Sequence, residues 1–290
     1  MSEAREALFW SAEEDSAVRC GLCPHRCHIA ENASGLCGVR ENLAGKLIAS
    51  GYGQVSSTAL DPIEKKPLHM FHPGEFILSI GGFGCNFRCG FCQNSEISLE
   101  YGHLRSQARH MSPKDVAALA AQTVQSGNIG VAYTYNEPLI GYEFLYDCAL
   151  LVRGAGLHNV IVTNGFINKE PLETILPLVD AMNIDLKGFS DRFYQSVSGN
   201  LDAVKETISM SAGRCHIEVT TLVVPGENEE DVAGLAQWLS SVDPGIPLHL
   251  TRFFPRYLYS NMPPTKRETI IGLGDIAKKY LKHVFYGNMR

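Results

Sequence analysis

From Phe76 to Thr251 the chain alternates short apolar runs with stretches of helical periodicity, which leaves few architectures open. The pattern predicts strands over 76–81, 130–134, 158–163, 181–186, 216–222 and 247–251. Between them lie helix-patterned segments. One opens at Ser112-Pro113, a cap followed by a first-turn proline, and carries Val116, Leu119, Ala120 and Val124 on one face. Others fall near 142–152, 170–178 and 229–239. Strands that alternate with crossover helices pair in parallel. Six units are too few to close an eight-stranded barrel. The expected fold is therefore α/β, a partial (β/α)6 TIM-like barrel.

In such sheets chemistry gathers where strands end. The first run leads into Gly84-Cys85-Asn86-Phe87-Arg88-Cys89-Gly90-Phe91-Cys92, and the second into Thr134-Tyr135-Asn136-Glu137-Pro138. The third closes on Thr163-Asn164-Gly165, and the fourth on Asp185-Leu186-Lys187-Gly188. The fifth runs into Val223-Val224-Pro225-Gly226, and the sixth into Arg252-Phe253-Phe254-Pro255. Taken singly, each is an ordinary turn or surface ion pair. Their shared position after strands makes them a candidate site.

Cys85, Cys89 and Cys92 supply three thiolates, whereas a cubane [4Fe–4S] cluster has four irons. One iron is left open to hold something else. A zinc loop or a set of buried thiols is the alternative, but zinc sites are four-coordinate and no fourth ligand stands near Cys92. A second group, Cys20, Cys23, Cys27 and Cys37, offers four thiolates within eighteen residues. Four ligands close a site, so this one is expected to be structural or electron-relaying. Zinc is preferred over an auxiliary [4Fe–4S] cluster, with unligated thiols as the plain alternative. His25 and His28 are read as lying outside the ligand set.

Seven of the nine cysteines precede residue 93 in a chain with no basic-then-apolar leader, which points to metal or redox chemistry rather than disulfides. Cys148 and Cys215 stand alone in apolar segments and read as structural thiols. No apolar run reaches membrane-spanning length, and a cytoplasmic location is expected. With 31 acids against 25 bases the net charge is −6, which disfavours nucleic acid as a partner. Three regions are expected: a Cys-rich extension with the four-cysteine metal site over 1–70, the partial barrel over 71–255, and a completing helix and strand over 256–290.

The Cys-x3-Cys-x2-Cys spacing, with Phe91 before the third cysteine, resembles the signature of the radical S-adenosylmethionine (SAM) superfamily. The strand-end motifs resemble its activating-enzyme branch, the relatives of pyruvate formate-lyase activating enzyme. The resemblance implies that SAM chelates the open iron and is cleaved to a 5′-deoxyadenosyl radical that abstracts hydrogen. It implies that Glu137, with Asn136, holds the SAM ammonium, in a motif where the branch's two glycines are replaced. Asn164, Asp185, Lys187, Phe91 and Val224 would surround the rest of SAM. Cys23-Pro24-His25-Arg26-Cys27, Gly35-Leu36-Cys37-Gly38-Val39-Arg40, Asp61-Pro62-Ile63-Glu64-Lys65-Lys66-Pro67 and Cys92-Gln93-Asn94 resemble the narrower AmmeMemoRadiSam group. Longer members of that group carry a further cysteine-containing tail beyond the segment matching Tyr286-Gly287-Asn288, and this chain is expected to work without it.

The function expected is a radical SAM enzyme supplied with electrons by a flavodoxin or ferredoxin. Memo-type or AMMECR-type proteins are the partners that the narrower resemblance implies. Glu218, Thr220 and Arg252 are the substrate-side candidates. A glycyl-radical activase acting on a partner protein is an alternative within the class. A non-catalytic iron–sulfur or zinc relay or scaffold is the alternative outside it, but a relay gains nothing from an open iron.

Overall fold

A computed structural model describes residues 5–289. One eight-stranded sheet organises them: β1 (Ser57–Pro62), β2 (Phe76–Gly81), β3 (Asn128–Thr134), β4 (His158–Thr163), β5 (Ala181–Asp185), β6 (His216–Val223), β7 (Leu248–Arg252) and β8 (Val284–Gly287). Their order is β8-β7-β6-β5-β4-β3-β2-β1. Strands β2 to β8 are parallel, and β1 runs antiparallel along the edge of β2. The order is linear, with no pairing between β1 and β8, so the barrel is partial.

Among the described residues, seven α-helices of six residues or more accompany the sheet: α1 (Pro113–Gln122), α2 (Tyr142–Gly154), α3 (Lys169–Ile175), α4 (Asp191–Ser196), α5 (Leu201–Ser211), α6 (Asp231–Val242) and α7 (Arg267–Ala277). Helix α1 begins as its sequence predicts. Ser112 accepts from the Asp115 N–H at 3.2 Å, and the Asp115 carboxylate accepts from the Ser112 N–H at 2.7 Å. That reciprocal cap contributes about 1 kcal/mol. Each helix buries one stripe; α5, for example, buries Leu201, Val204 and Ile208. The strands between are almost wholly buried, as parallel strands covered by helices must be.

Two features come from segments whose sequence shows no clear periodicity. Ahead of β1 lie a three-stranded sheet (Trp10–Ala12, Val18–Cys20, His28–Ile29) and a hairpin (Arg40–Leu43 with Lys46–Ala49). These strands have two to four residues, too few to print an alternation. Strand β1 itself ends in Pro62, which an edge tolerates and a central strand does not.

The N-terminal segment is fastened to the barrel by a buried ion pair. Arg40 Nη1 lies 3.0 and 3.1 Å from the two carboxylate oxygens of Glu143 on α2. Arg40 Nη2 donates to the Leu8 carbonyl, and the Leu8 N–H donates to Glu143 Oε1 at 2.6 Å. Both side chains are fully buried. No helix among the described residues is long and apolar enough to cross a membrane.

Candidate active site

The ends of β2 to β7 surround a cavity of about 350 Å3. Register explains the convergence. Gly81 pairs with Thr134, Thr163 with Ile184, Asp185 with Thr220, and Val223 with Arg252, so the strand ends stand nearly level. Cys85, Cys89 and Cys92 form one wall, with Phe91 beside them. Asn136, Glu137, Thr163, Asn164, Asp185 and Lys187 form the others.

Glu137 is buried, and its ligands are neutral. Oε1 accepts from Thr163 Oγ1 at 2.7 Å and from the Leu139 N–H at 3.0 Å; Oε2 accepts from the Asn164 N–H at 2.7 Å. Burial lifts its carboxyl from an ordinary 4.5 to about 7, because these donors only partly replace lost hydration. An incoming ammonium would supply the missing counter-charge. The backbone entering this corner is bent at Tyr135, whose φ is 73°. Tyr135 is secured by its hydroxyl, which donates to Asp61 Oδ2 at 2.7 Å.

Asn136 holds the ends of β2 and β3 together. Its Oδ1 accepts from the Gly82 N–H at 2.9 Å, and its Nδ2 donates to the carbonyls of Phe83 and Gly84 at 3.0 and 3.1 Å. Asn164 does the same for the cysteine loop: Nδ2 donates to Asn86 Oδ1 at 2.8 Å and reaches Cys85 Sγ at 3.8 Å. Asp185 and Lys187 pair at 2.7 Å. Burial works against the Lys187 charge, but Asp185 and the thiols of Cys89 and Cys92 outweigh it and keep the ammonium protonated above its usual range. Asn228 locks the Val224 segment to this pair, accepting from the Val224 N–H at 2.8 Å and donating to the Lys187 carbonyl at 2.6 Å. Val224 is buried behind the cavity rather than on its wall.

The donor set suits an iron–sulfur cluster. Burial raises the Cys85 thiol well above 9.0, Cys89 to about 12, and Cys92 also upward. Free thiols here are protonated, so metal loading must expel protons and gains from doing so. Among the described residues no three His, Cys, Asp or Glu side chains close into a cage for a single metal ion. A cubane asks for something different, one thiolate on each iron and the sulfurs spread apart.

Of the substrate-side candidates, Thr220 lies on the cavity wall. Glu218 does not. It sits two residues earlier on β6, and its carboxylate accepts from the backbone N–H groups of His69 and Met70 at 3.0 and 2.7 Å. His216 Nε2 and His249 Nε2 lie 2.9 and 2.5 Å away. The period of two puts Glu218 on the same face as Thr220 but deeper, at the closed end of the sheet. Arg252 turns toward the C-terminal segment, where its Nε donates to the Thr265 carbonyl at 2.9 Å and its guanidinium stacks over Phe254.

The structure adds two wall residues that the motifs alone leave without a role. Lys66 is buried at the cavity edge, donating to Asp61 Oδ2 at 2.8 Å, and Lys65 donates to Asp61 Oδ1 at 2.8 Å. An acid followed four and five residues later by lysines is the signal that marks them.

The family model of the radical SAM superfamily matches residues 79–239, more than half of the chain. The chain belongs to the radical SAM superfamily. An uncharacterized protein of Methanocaldococcus jannaschii is 41% identical over 290 residues, covering 98% of this chain and 85% of the relative. The pyruvate formate-lyase 1-activating enzyme of Escherichia coli K12 is 22% identical over 220 residues, covering 70% of this chain and 89% of that enzyme. Among solved structures, Streptococcus suis SuiB bound to S-adenosylmethionine matches with a TM-score of 0.53 at 15% identity, a likeness of fold. That match covers 70% of this chain and 47% of SuiB, so the chain spans about half of SuiB. The protein is thus a radical SAM enzyme related to the activating enzymes, and radical SAM members use a [4Fe–4S] cluster and SAM.

Proposed function

We propose that this radical SAM enzyme binds its cluster through Cys85, Cys89 and Cys92 and its SAM in the 350 Å3 cavity at the strand ends. When bound, the two together supply a 5′-deoxyadenosyl radical for hydrogen abstraction from a substrate, with an external flavodoxin or ferredoxin as reductant. The observation that carries the reading is Glu137, a buried carboxylate with only neutral partners, facing the same cavity as the thiols of Cys85, Cys89 and Cys92.

The chain's own groups divide the work. Glu137 receives the SAM ammonium, and Asn136 and Asn164 keep the corner rigid around it. Asp185 and Lys187 offer a fixed pair of opposite charges to the polar parts of SAM. Phe91, packed between Phe193 and Tyr259 with both ring centroids at 5.9 Å, keeps water from the cluster side. Thr220, Lys65 and Lys66 face the remaining space and are the substrate-side groups. The likeness to pyruvate formate-lyase activating enzyme supports a glycyl-radical partner protein as the hydrogen donor in a second reading. The four thiols of Cys20, Cys23, Cys27 and Cys37 hold a second metal group.

The test is anaerobic reconstitution followed by dithionite and SAM. Formation of 5′-deoxyadenosine that is lost in Cys89→Ala supports the reading. An intact, reducible cluster that yields none would overturn it.

A further inference from the structure

After Pro62 the chain leaves β1 and passes beneath the sheet as a strap that is tied to β5 and β6. Asn183 Nδ2 donates to the Pro67 carbonyl at 2.8 Å, and the N–H groups of His69 and Met70 donate to Glu218 at 3.0 and 2.7 Å. Lys66 precedes the first tie and borders the cavity. We infer that Lys66 and Thr220 together bind a carboxylate of the substrate, so that the enzyme acts on a carboxylate-bearing compound. The inference rests on the function proposed above, which gives Glu137 to SAM and this end of the cavity to the substrate.

Register brings the two residues to one end of the cavity. Asn183 pairs with Glu218 across β5 and β6, and Asp185 pairs with Thr220. The strap is tied at the first of these rungs. Thr220 stands one step of the two-residue period nearer the cavity, on the same face.

The charge at this end is not balanced. Lys65 and Lys66 both donate to Asp61, at 2.8 Å each, and the Tyr135 hydroxyl shares Oδ2 with Lys66 at 2.7 Å. Two ammoniums on one carboxylate leave a surplus of one positive charge. Lys65 is mostly exposed, so water offsets its charge, whereas Lys66 is buried. Among the described residues, Lys66 Nζ has one hydrogen-bond acceptor and otherwise lies over the Tyr135 ring, 4.9 Å from its centroid. Its other two N–H donors have no protein acceptor, an unfavourable state for a buried cation. Elsewhere on the wall Asp185 and Lys187 neutralise each other. The surplus is therefore free to meet an anion.

Thr220 supplies the second observation. Its hydroxyl is buried on the cavity wall and has no hydrogen-bond partner among the described residues. A carboxylate offers two acceptor oxygens and one negative charge. One oxygen meets the Lys66 ammonium and the other the Thr220 hydroxyl, and the single charge matches the surplus. A phosphate group carries nearly two charges and exceeds it. A neutral group would leave the ammonium unmatched. Burial lowers the pKa of Lys66, and a bound carboxylate would raise it again.

The test uses the full chain, reconstituted with iron and sulfide and saturated with SAM, in low-salt calorimetric titrations. The probes are benzoate and pyruvate, each against its own neutral amide, and phenylphosphonate. We expect at least one carboxylate to bind about tenfold tighter than its amide, and tighter than phenylphosphonate. Lys66→Gln should remove that preference, and Thr220→Val, nearly isosteric, should weaken carboxylate binding severalfold while leaving the amide unaffected. Carboxylates bound no better than their amides, or equally well by both variants, overturn the inference, as does a preference for phenylphosphonate. Displacement of SAM by the bound carboxylate, followed by equilibrium dialysis, also overturns it, because Lys66 then serves SAM. The two readings fail separately. A wild type that forms 5′-deoxyadenosine but does not distinguish carboxylate from amide refutes this inference alone. One that binds carboxylate through Lys66 but forms no 5′-deoxyadenosine refutes the proposed function and keeps the carboxylate site.

Discussion

The carbonyl oxygen of Cys37 occupies the space that a β-carbon on Gly84 would need. Gly84 also has a φ of +83°, a conformation that other residues adopt at a cost. One glycine thus lets the four-cysteine segment lie against the residue that precedes the first cysteine of the three-cysteine loop.

Replacing that glycine is therefore expected to separate the two sites. Gly84→Ala incurs a backbone cost of about 1–2 kcal/mol and a further one from the Cys37 contact. Denaturant unfolding should show the loss of stability, and proteolysis should cut residues 5–56 faster than in the wild type. An unchanged midpoint would mean that the Cys37 backbone yields freely.

Glu137→Gln keeps the shape of the corner and removes its charge. A hydrogen bond between charged groups contributes roughly 1.5–3 kcal/mol, so SAM affinity should fall about ten- to hundredfold. Equilibrium dialysis of the reconstituted protein measures this, and unchanged circular dichroism excludes misfolding. Equal affinity would remove Glu137 as the ammonium site.

Arg40 and Glu143 should behave as a coupled pair. Glu143→Leu leaves a buried guanidinium uncompensated and is expected to destabilise the fold by about 3–5 kcal/mol. Arg40→Met/Glu143→Leu should recover much of that loss. Additive single effects in a double-mutant cycle would show that the two side chains act independently.

Glu218 predicts a pH signature. Burial pushes its carboxyl up, but His216, His249 and the N–H groups of His69 and Met70 outweigh this and hold it at about 2, below the ordinary 4.5. A depressed carboxyl contributes stability that is present above 4.5 and lost as the pH falls toward 2. The stability gap between wild type and Glu218→Gln should therefore be widest above pH 5 and narrow on acidification. A gap independent of pH between 5 and 2.5 would contradict the ionised carboxylate.

Much of the sheet and of the site can be read along the chain. Strands β2 and β4 run over 76–81 and 158–163, as their apolar runs predict, because continuous burial leaves a continuous apolar signal. The strand-end residues Glu137, Asn164, Asp185 and Lys187 meet because parallel strands all end on the same side. Strand β1 carries no such signal because it is edge-placed and half-exposed, and the small N-terminal strands carry none because they are short.

Depth along a strand is likewise invisible to a period of two. Alternation places Glu218 and Thr220 on one face, and only the packing of the His69–Met70 backbone beneath the sheet shows that Glu218 serves the closed end. By itself, then, the sequence determined the parallel α/β sheet, the thiolate count and the polar residue at each strand end, because these are local patterns of burial and spacing. Tertiary structure alone decided which carboxylate faces the cavity, that Lys66 joins its wall, and that Cys37 abuts Gly84. Those relations depend on contacts between residues far apart in the chain, which no local pattern encodes.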